Sequence, residues 1–402
     1  MNKNKLAIIN CNWEKTNYGA VMTAYALQKA IDIHFTTNVF LINNVLTKFI
    51  VCNLFNNKFD KFKKKYCKSS SWIKNYTHFF ALNKTFDTFI TGSDQVFRPS
   101  LLGQNTRYQY FLDFVKPDCK KIACSASFGV DKETFLKENS QEILDKMKQS
   151  LKSFDFISVR EKSGVEICRD ILGIEAEWII DPVFMIERSI YEKIAISASA
   201  KFENEIVSYI LSPRNNNIIK KYENKNNCKI KQLFGTNLSI EEWLYAIKDC
   251  KLLITDSFHG VCFAIIFNKP FICIVNSSTG STRYDSIFEM LGIENQCIYN
   301  IKDIEEKDCI FNVDYEKVNK NIEKQRQKGL NFLKRSLEAK SNKKDEKQKV
   351  YEYCVHEREF EKKNYIKCLK DFFWLTWLFV FYNILPETLR NIIRLMRDRL
   401  CK

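Results

Sequence analysis

The chain has 402 residues, 45% hydrophobic and 28% charged, with a formal net charge of +15 at neutral pH. That length exceeds one ordinary domain, and that hydrophobic fraction excludes a disordered chain, so two packed domains with an appendage are expected. The positive excess favours anionic partners, yet no recognised nucleic-acid-binding motif accompanies it, which argues against nucleic acid.

In chain order, "MNKNKLAIINCNW" has too short an apolar run for a secretory signal, so a cytosolic domain is expected. "LAIIN" (6–10) reads as a buried strand, "CNWEKTNYGA" as a polar turn and "AVMTAYALQKAI" as a helix, the opening of an α/β domain. Residues 48–74 carry Lys48, Lys58, Lys61, Lys63, Lys64, Lys65, Lys68 and Lys74 against Asp60 alone, which reads as an anion-seeking segment or as a solvated lysine-rich face. "TFDTFITGSDQVF" predicts a strand ending at Ile90, then a loop; "KIACSASFG" is a further strand, and "FDFISVREKSGVEICRDI" is strand, loop and helix. "EWIIDPVFM" closes this half, with Pro182 breaking the strand.

A second series follows: "NEIVSYILSP" (strand), "IIKKYENKNN" (helix), "IKQLFG" (strand), "SIEEWLYAIKDC" (helix capped by Ser239), "LLITDSFHG" and "PFICIV" (strands). Repeated alternation predicts parallel sheets with helices on both faces and a ligand cleft at the strands' carboxyl ends. The expected boundaries are 1–185 and 186–325 for two Rossmann-like domains, 326–365 for a charged helix and linker, and 366–402 for an amphipathic tail. The tail's aromatic core, about 372–385, is too short to span a bilayer, whereas Arg390, Arg394 and Arg397 share one helical face; it suits a membrane interface or a helix docked on protein. Fifteen cysteines are scattered without a C-x-x-C pair, and Cys250, Cys262 and Cys273 sit in apolar runs, the pattern of buried thiols in a reducing compartment and of no zinc site.

Five loops at strand-to-helix switches carry candidate chemistry. "TDSFHG" holds Asp256, Ser257 and His259, one of four histidines; no G-x-S-x-G elbow surrounds Ser257, and His259 is either a general acid–base or a helix cap. Arg160 follows a strand and suits a carboxylate or phosphate, or a salt bridge to Glu161. "GSDQVFRP" offers Ser93, Asp94 and Gln95, with Asp94 a base, an orienter or an N-cap. "TNYGA" offers Asn17, Tyr18 and Gly19 at a helix N-terminus, and "SSTGSTRYDS" carries Arg283.

Taken in order, "NYGAVMTAYALQ", "GSDQVFRP", "SVREKSG", "DPVF", "TDSFHGVCFAIIFNKPFI" and "STRYDSIFEMLGI" resemble the polysaccharide pyruvyl transferases over about residues 5–300. The resemblance implies a GT-B-like pair of Rossmann-like domains facing a cleft. It implies transfer of the enolpyruvyl group of phosphoenolpyruvate onto two sugar hydroxyls, giving a pyruvate ketal, with no metal or other cofactor. It puts Arg160 and Arg283 on donor binding and His259 on the active-site histidine, with Asp94 or Asp256 orienting acceptor or imidazole. Ser257 stands where characterised members often carry an arginine. The implied partners are phosphoenolpyruvate and a glycan or lipid-linked sugar acceptor; the basic segment and the Arg-faced tail, which lies outside the resemblance, add an anionic membrane surface as an expected partner, at the cytoplasmic face of the plasma membrane. A nucleotide-sugar glycosyltransferase of the same fold and a non-catalytic glycan-binding protein are the alternatives.

Overall fold

The computed structural model describes residues 5–10, 17–42, 58–70, 73, 76–102, 107–199, 205–275, 281–293, 297–298 and 313–357. Eleven strands are described: β1 (Lys5–Ile9), β2 (Asn38–Leu41), β3 (Thr88–Thr91), β4 (Lys120–Ala126), β5 (Phe156–Val159), β6 (Glu177–Trp178), β7 (Ile206–Tyr209), β8 (Lys231–Gln232), β9 (Leu252–Thr255), β10 (Phe271–Ile274) and β11 (Cys297–Ile298). They form two sheets, ordered β2-β1-β3-β4-β5-β6 and β11-β10-β9-β7-β8. Every pairing is parallel. The fold class is therefore the expected α/β arrangement of two Rossmann-like halves.

The strands explain the pattern. β3 and β10 are buried at all four positions, because helices cover both faces of a parallel sheet and leave no polar side. The helix Ile240–Asp249 starts as the sequence predicts: Ser239 Oγ accepts the Glu242 N–H at 3.1 Å, and Glu242 Oε2 accepts the Ser239 N–H at 2.7 Å. β2 and β11, which the sequence reading passes over, are short edge strands of four and two residues. The lysine-rich stretch contains the helix Lys58–Tyr66, with Phe59 and Phe62 buried beneath it and Lys61, Lys64 and Lys65 exposed.

The two halves lock together through named contacts. Tyr18, first residue of the helix Tyr18–His34, donates to the Leu238 carbonyl at 2.7 Å and stacks on Trp243 with ring centres 5.2 Å apart. Ser286 Oγ accepts the Lys162 N–H at 3.0 Å. The helix Tyr315–Glu338 runs unbroken across the expected boundary at 326 and returns to the first half. There Arg326 Nε donates to the Phe184 carbonyl at 3.0 Å, and Lys120 Nζ to the Leu337 carbonyl at 2.6 Å.

By compactness the chain divides into Met1–Tyr351 and Glu352–Lys402. Of the second unit only 352–357 are described, and they are helical. The expected interfacial tail at 366–402 lies outside the described residues. Among the described residues the cysteines are free thiols, and no helix is long and apolar enough to cross a membrane.

Candidate active site

The site begins where β9 ends. Thr255 Oγ1 donates to the Tyr209 carbonyl at 2.7 Å and accepts the Ser257 N–H at 3.0 Å, turning the chain out of the strand. Ser257 then caps the helix Phe258–Ile266, its Oγ accepting the Gly260 N–H at 3.3 Å. Gly260 is obligatory at this turn, since a Cβ there would lie 2.5 Å from Thr255 Oγ1. Phe258 and His259 are thereby fixed in the first helical turn.

His259 reaches into the other half. Its Nε2 lies 2.8 Å from Thr23 Oγ1 and 3.7 Å from Asp181 Oδ2. The first contact is a hydrogen bond; the second is a charge interaction beyond hydrogen-bond range. A Cβ on Gly19 would fall 2.2 Å from His259 Nδ1, so only glycine at the helix N-terminus lets the imidazole in.

Behind Phe258 lies a buried network built on Arg160. Its Nη1 donates to Asp181 Oδ2 at 2.7 Å and to Ser93 Oγ at 3.1 Å, and its Nη2 to Asp94 Oδ1 at 3.4 Å. Ser93 in turn donates to Asp181 Oδ2 at 3.0 Å, and Asp181 Oδ1 accepts the Val183 N–H at 3.0 Å. Burial alone would raise the Asp181 pKa; His259, Arg160 and the Val183 N–H outweigh it and hold the carboxyl well below the usual range. Burial works against the Arg160 cation as well, but Asp181, Asp94 and Glu161 keep it firmly charged.

In front of Phe258 is a cavity of about 300 Å³ lined by Asn17, Asp94 and Gln95 from one half and by Leu211, Ser212, Asp256–His259, Arg283 and Tyr284 from the other. Arg283 differs from Arg160. Its guanidinium carbon lies 5.6 Å from the Phe258 ring centre, yet no protein acceptor among the described residues bonds it, and its Nε is buried without a partner. Burial and then the repulsion of Arg160 lower its pKa, though a guanidinium stays charged at any physiological pH.

The sequence model for polysaccharide pyruvyl transferase matches residues 17–278, which contain His259, Arg160 and Asp181. The chain belongs to the polysaccharide pyruvyl transferase family. It is an enzyme that transfers pyruvyl groups. No curated protein matches the chain. Among solved structures it is similar to S. aureus MnaA with UDP, at 11% identity over 83% of this chain and 97% of that one, TM-score 0.47. It is also similar to the UDP-GlcNAc 2-epimerase of Neisseria meningitidis bound to UDP-GlcNAc, at 8% identity over 88% and 100%, TM-score 0.46. The UDP-GlcNAc 2-epimerase of Methanocaldococcus jannaschii in complex with UDP-GlcNAc and UDP matches at 14% identity over 87% and 99%, TM-score 0.45.

The transferase gathers most of the sequence candidates at one place but not in the roles expected of each. His259, Arg283, Ser257, Asn17, Gln95 and Asp94 line the cavity. Asp94 does so on a backbone with φ of 111°, a conformation non-glycine residues rarely hold, stabilised by its own Oδ1 accepting the Gln95 N–H at 2.9 Å. Asp256, expected to orient acceptor or imidazole, also lines the cavity, and its carboxylate is engaged by the neighbouring loop. Its Oδ1 accepts the Leu211 N–H at 2.6 Å, and its Oδ2 accepts the Ser212 N–H at 3.0 Å and Asn215 Nδ2 at 2.8 Å, so it fastens the turn after β7.

Tyr18 and Gly19 are not arranged to hold substrate: Tyr18 joins the halves and Gly19 seats His259. Ser93 is buried in the Arg160 network. Arg160 itself sits under Phe258 rather than on the cavity wall, its carbon 4.6 Å from the ring centre. Its alternative partner, Glu161, is 4.0 Å away, while Glu161 Oε1 accepts the Phe128 and Gly129 N–H groups at 2.6 and 3.1 Å. Thr23 and Asp181 were missed as site residues. A lone hydroxyl on the buried side of an apolar helix, and an Asp before Pro at a strand end, were the signals available.

Proposed function

We propose that the transferase moves the enolpyruvyl group of phosphoenolpyruvate onto two hydroxyls of a sugar in a polysaccharide precursor, forming a cyclic pyruvate ketal. The observation that carries this reading is the Arg283 guanidinium, without an acceptor among the described residues, sharing a cavity of about 300 Å³ with His259. A small donor with two anionic groups, a carboxylate and a phosphate, satisfies that cation and brings its methylene carbon beside a proton-carrying side chain.

In this scheme the imidazolium gives its proton to the methylene carbon, and an oxocarbenium-like centre develops at the adjacent carbon. One sugar hydroxyl attacks that carbon; the second displaces phosphate. Of the two hydroxyl protons, one restores the imidazolium and the other leaves with phosphate. Arg283 offsets the charge on the donor and on the leaving group. Asp94, facing Arg283 and His259 from the first half across the same cavity, is a carboxylate placed to orient an acceptor hydroxyl. Ser257 adds a neutral hydroxyl where relatives often have a cation, leaving Arg283 to carry the donor.

The test offers purified protein phosphoenolpyruvate, or separately nucleotide sugars, with lipid-linked saccharide acceptors. Phosphate release with a pyruvate ketal on the acceptor is expected. Nucleoside phosphate release, with none from phosphoenolpyruvate, overturns the reading in favour of a glycosyltransferase. We further propose work at the inner membrane surface, supported by the exposed Lys61, Lys64 and Lys65 on the helix Lys58–Tyr66. Charge reversal there is expected to weaken sedimentation with anionic vesicles, and unchanged sedimentation removes that claim.

A further inference from the structure

His259 has two nitrogens, and the fold treats them differently. Thr23 and Gly19 are four residues apart on one face of the helix Tyr18–His34, and both meet the imidazole. Thr23 Oγ1 donates its single proton to the Gly19 carbonyl at 2.9 Å, which leaves an oxygen lone pair for His259 Nε2 at 2.8 Å. An Nε2 lone pair would also face the Asp181 carboxylate at 3.7 Å, an unfavourable pairing, whereas an Nε2–H is attracted to it. Nε2 is therefore the protonated nitrogen of the neutral ring. Nδ1 packs against Gly19, whose lack of a Cβ admits it, since a Cβ there would lie 2.2 Å away; among the described residues no hydrogen bond engages Nδ1, and it is not one of the fully buried polar atoms left without a partner. The ring keeps 9% of its side-chain surface exposed, and it lines the cavity.

We infer that His259 exchanges its proton with substrate through Nδ1, and that Thr23 is a positioning residue which holds Nε2–H turned away from the cavity. The inference rests on His259 being the proton carrier of the proposed reaction. In the forward step the Nδ1–H bond breaks, its electron pair stays on nitrogen, and the alkene electrons of the donor form the new C–H bond. Asp181 stabilises the imidazolium before that step, and Thr23 prevents the ring from presenting Nε2 instead.

The test is Thr23→Val, which keeps the shape and removes the hydroxyl, beside Thr23→Ser, which keeps the hydroxyl. In full-length protein labelled with [15N]histidine, the Nε2–H proton of His259, assigned by its loss in His259→Asn, is expected to be protected from solvent exchange at neutral pH. Thr23→Val is expected to abolish that protection and Thr23→Ser to restore it. This readout needs no donor, so it stands or falls apart from the identity of the reaction. Where phosphoenolpyruvate is turned over, Thr23→Val lowers kcat about 10- to 100-fold, less than removing the acid–base group, with little change in KM for the donor. A protected Nδ1–H in the parent protein, or a Thr23→Val variant with parental protection and parental kcat, overturns the inference.

Discussion

Two arginines approach the same ring and do opposite things. Arg160 lies 4.6 Å from the centre of Phe258 and Arg283 lies 5.6 Å from it. Arg160 is neutralised by Asp181 at 2.7 Å and shares Ser93, so its charge is spent inside the protein. Arg283 faces the cavity with no acceptor among the described residues. The lesson is that a cation at a strand's carboxyl end says little by itself: the neighbouring carboxylates decide whether it is scaffold or binding site. Here the first half supplies a guanidinium surrounded by Asp181, Asp94 and Glu161, and the second half supplies a guanidinium without an acceptor among the described residues and a histidine that reaches Thr23 and Asp181.

The largest expected effect lies at the point where the two regions meet. His259→Ala removes the proton carrier and is expected to lower phosphoenolpyruvate-dependent phosphate release by about 10²- to 10⁴-fold, with the thermal midpoint near that of the parent. A variant with parental turnover sinks both the mechanism and the assignment of the cavity as an active site.

Next come the arginines themselves. Arg160→Met strands the buried Asp181 carboxylate and is expected to cost about 3–5 kcal/mol of stability, read from a urea transition. Arg283→Met removes a partly buried cation that has no hydrogen-bond acceptor among the described residues, so stability should hold or rise slightly. Its expected cost is in binding: KM for the donor rises by a factor equivalent to about 1.5–3 kcal/mol, the worth of hydrogen bonds to a charged group. The contrast between the arginines collapses if both variants lose stability alike, or if Arg283→Met binds donor as the parent does.

The architecture was legible because parallel strands buried on both faces leave continuous apolar runs, as in "LAIIN" and "PFICIV", and because the Ser239 cap has its Glu242 partner in register. The edge strands β2 and β11 were not, since two to four residues carry little periodicity. Of the site, His259 and the loops were visible as polar groups at strand ends. Their division of labour was not, because it depends on contacts far apart in sequence. Asp256 reads as a carboxylate that orients acceptor or imidazole, and the Leu211 and Ser212 N–H groups it accepts come from 45 and 44 residues away. Asp181 looks like a cap before Pro182 until Arg160 and His259 arrive from 21 and 78 residues away. Thr23 is one polar residue in a buried helical stretch, and nothing local distinguishes it from a hydroxyl bonded back to its own turn.

The smallest effect follows from the depressed pKa of Asp181. Its folded pKa lies below that of an unfolded aspartate, about 3.9, so the stability it contributes is fully present above that value and is lost as pH falls through the folded pKa. A tenfold difference in proton affinity between the folded and unfolded chain corresponds to about 1.4 kcal/mol. In Arg160→Met one of the two cations holding the carboxyl down is gone while burial still pushes its pKa upward, so the folded and unfolded values move closer together. Urea midpoints between pH 3 and 6 should therefore fall less steeply on acidification in Arg160→Met than in the parent. In Arg283→Met the slope should match the parent, because Arg283 does not contact Asp181. Parallel slopes in parent and Arg160→Met would mean that His259 and the Val183 N–H alone hold the carboxylate, and Arg160 would then lose its place as the centre of the buried network.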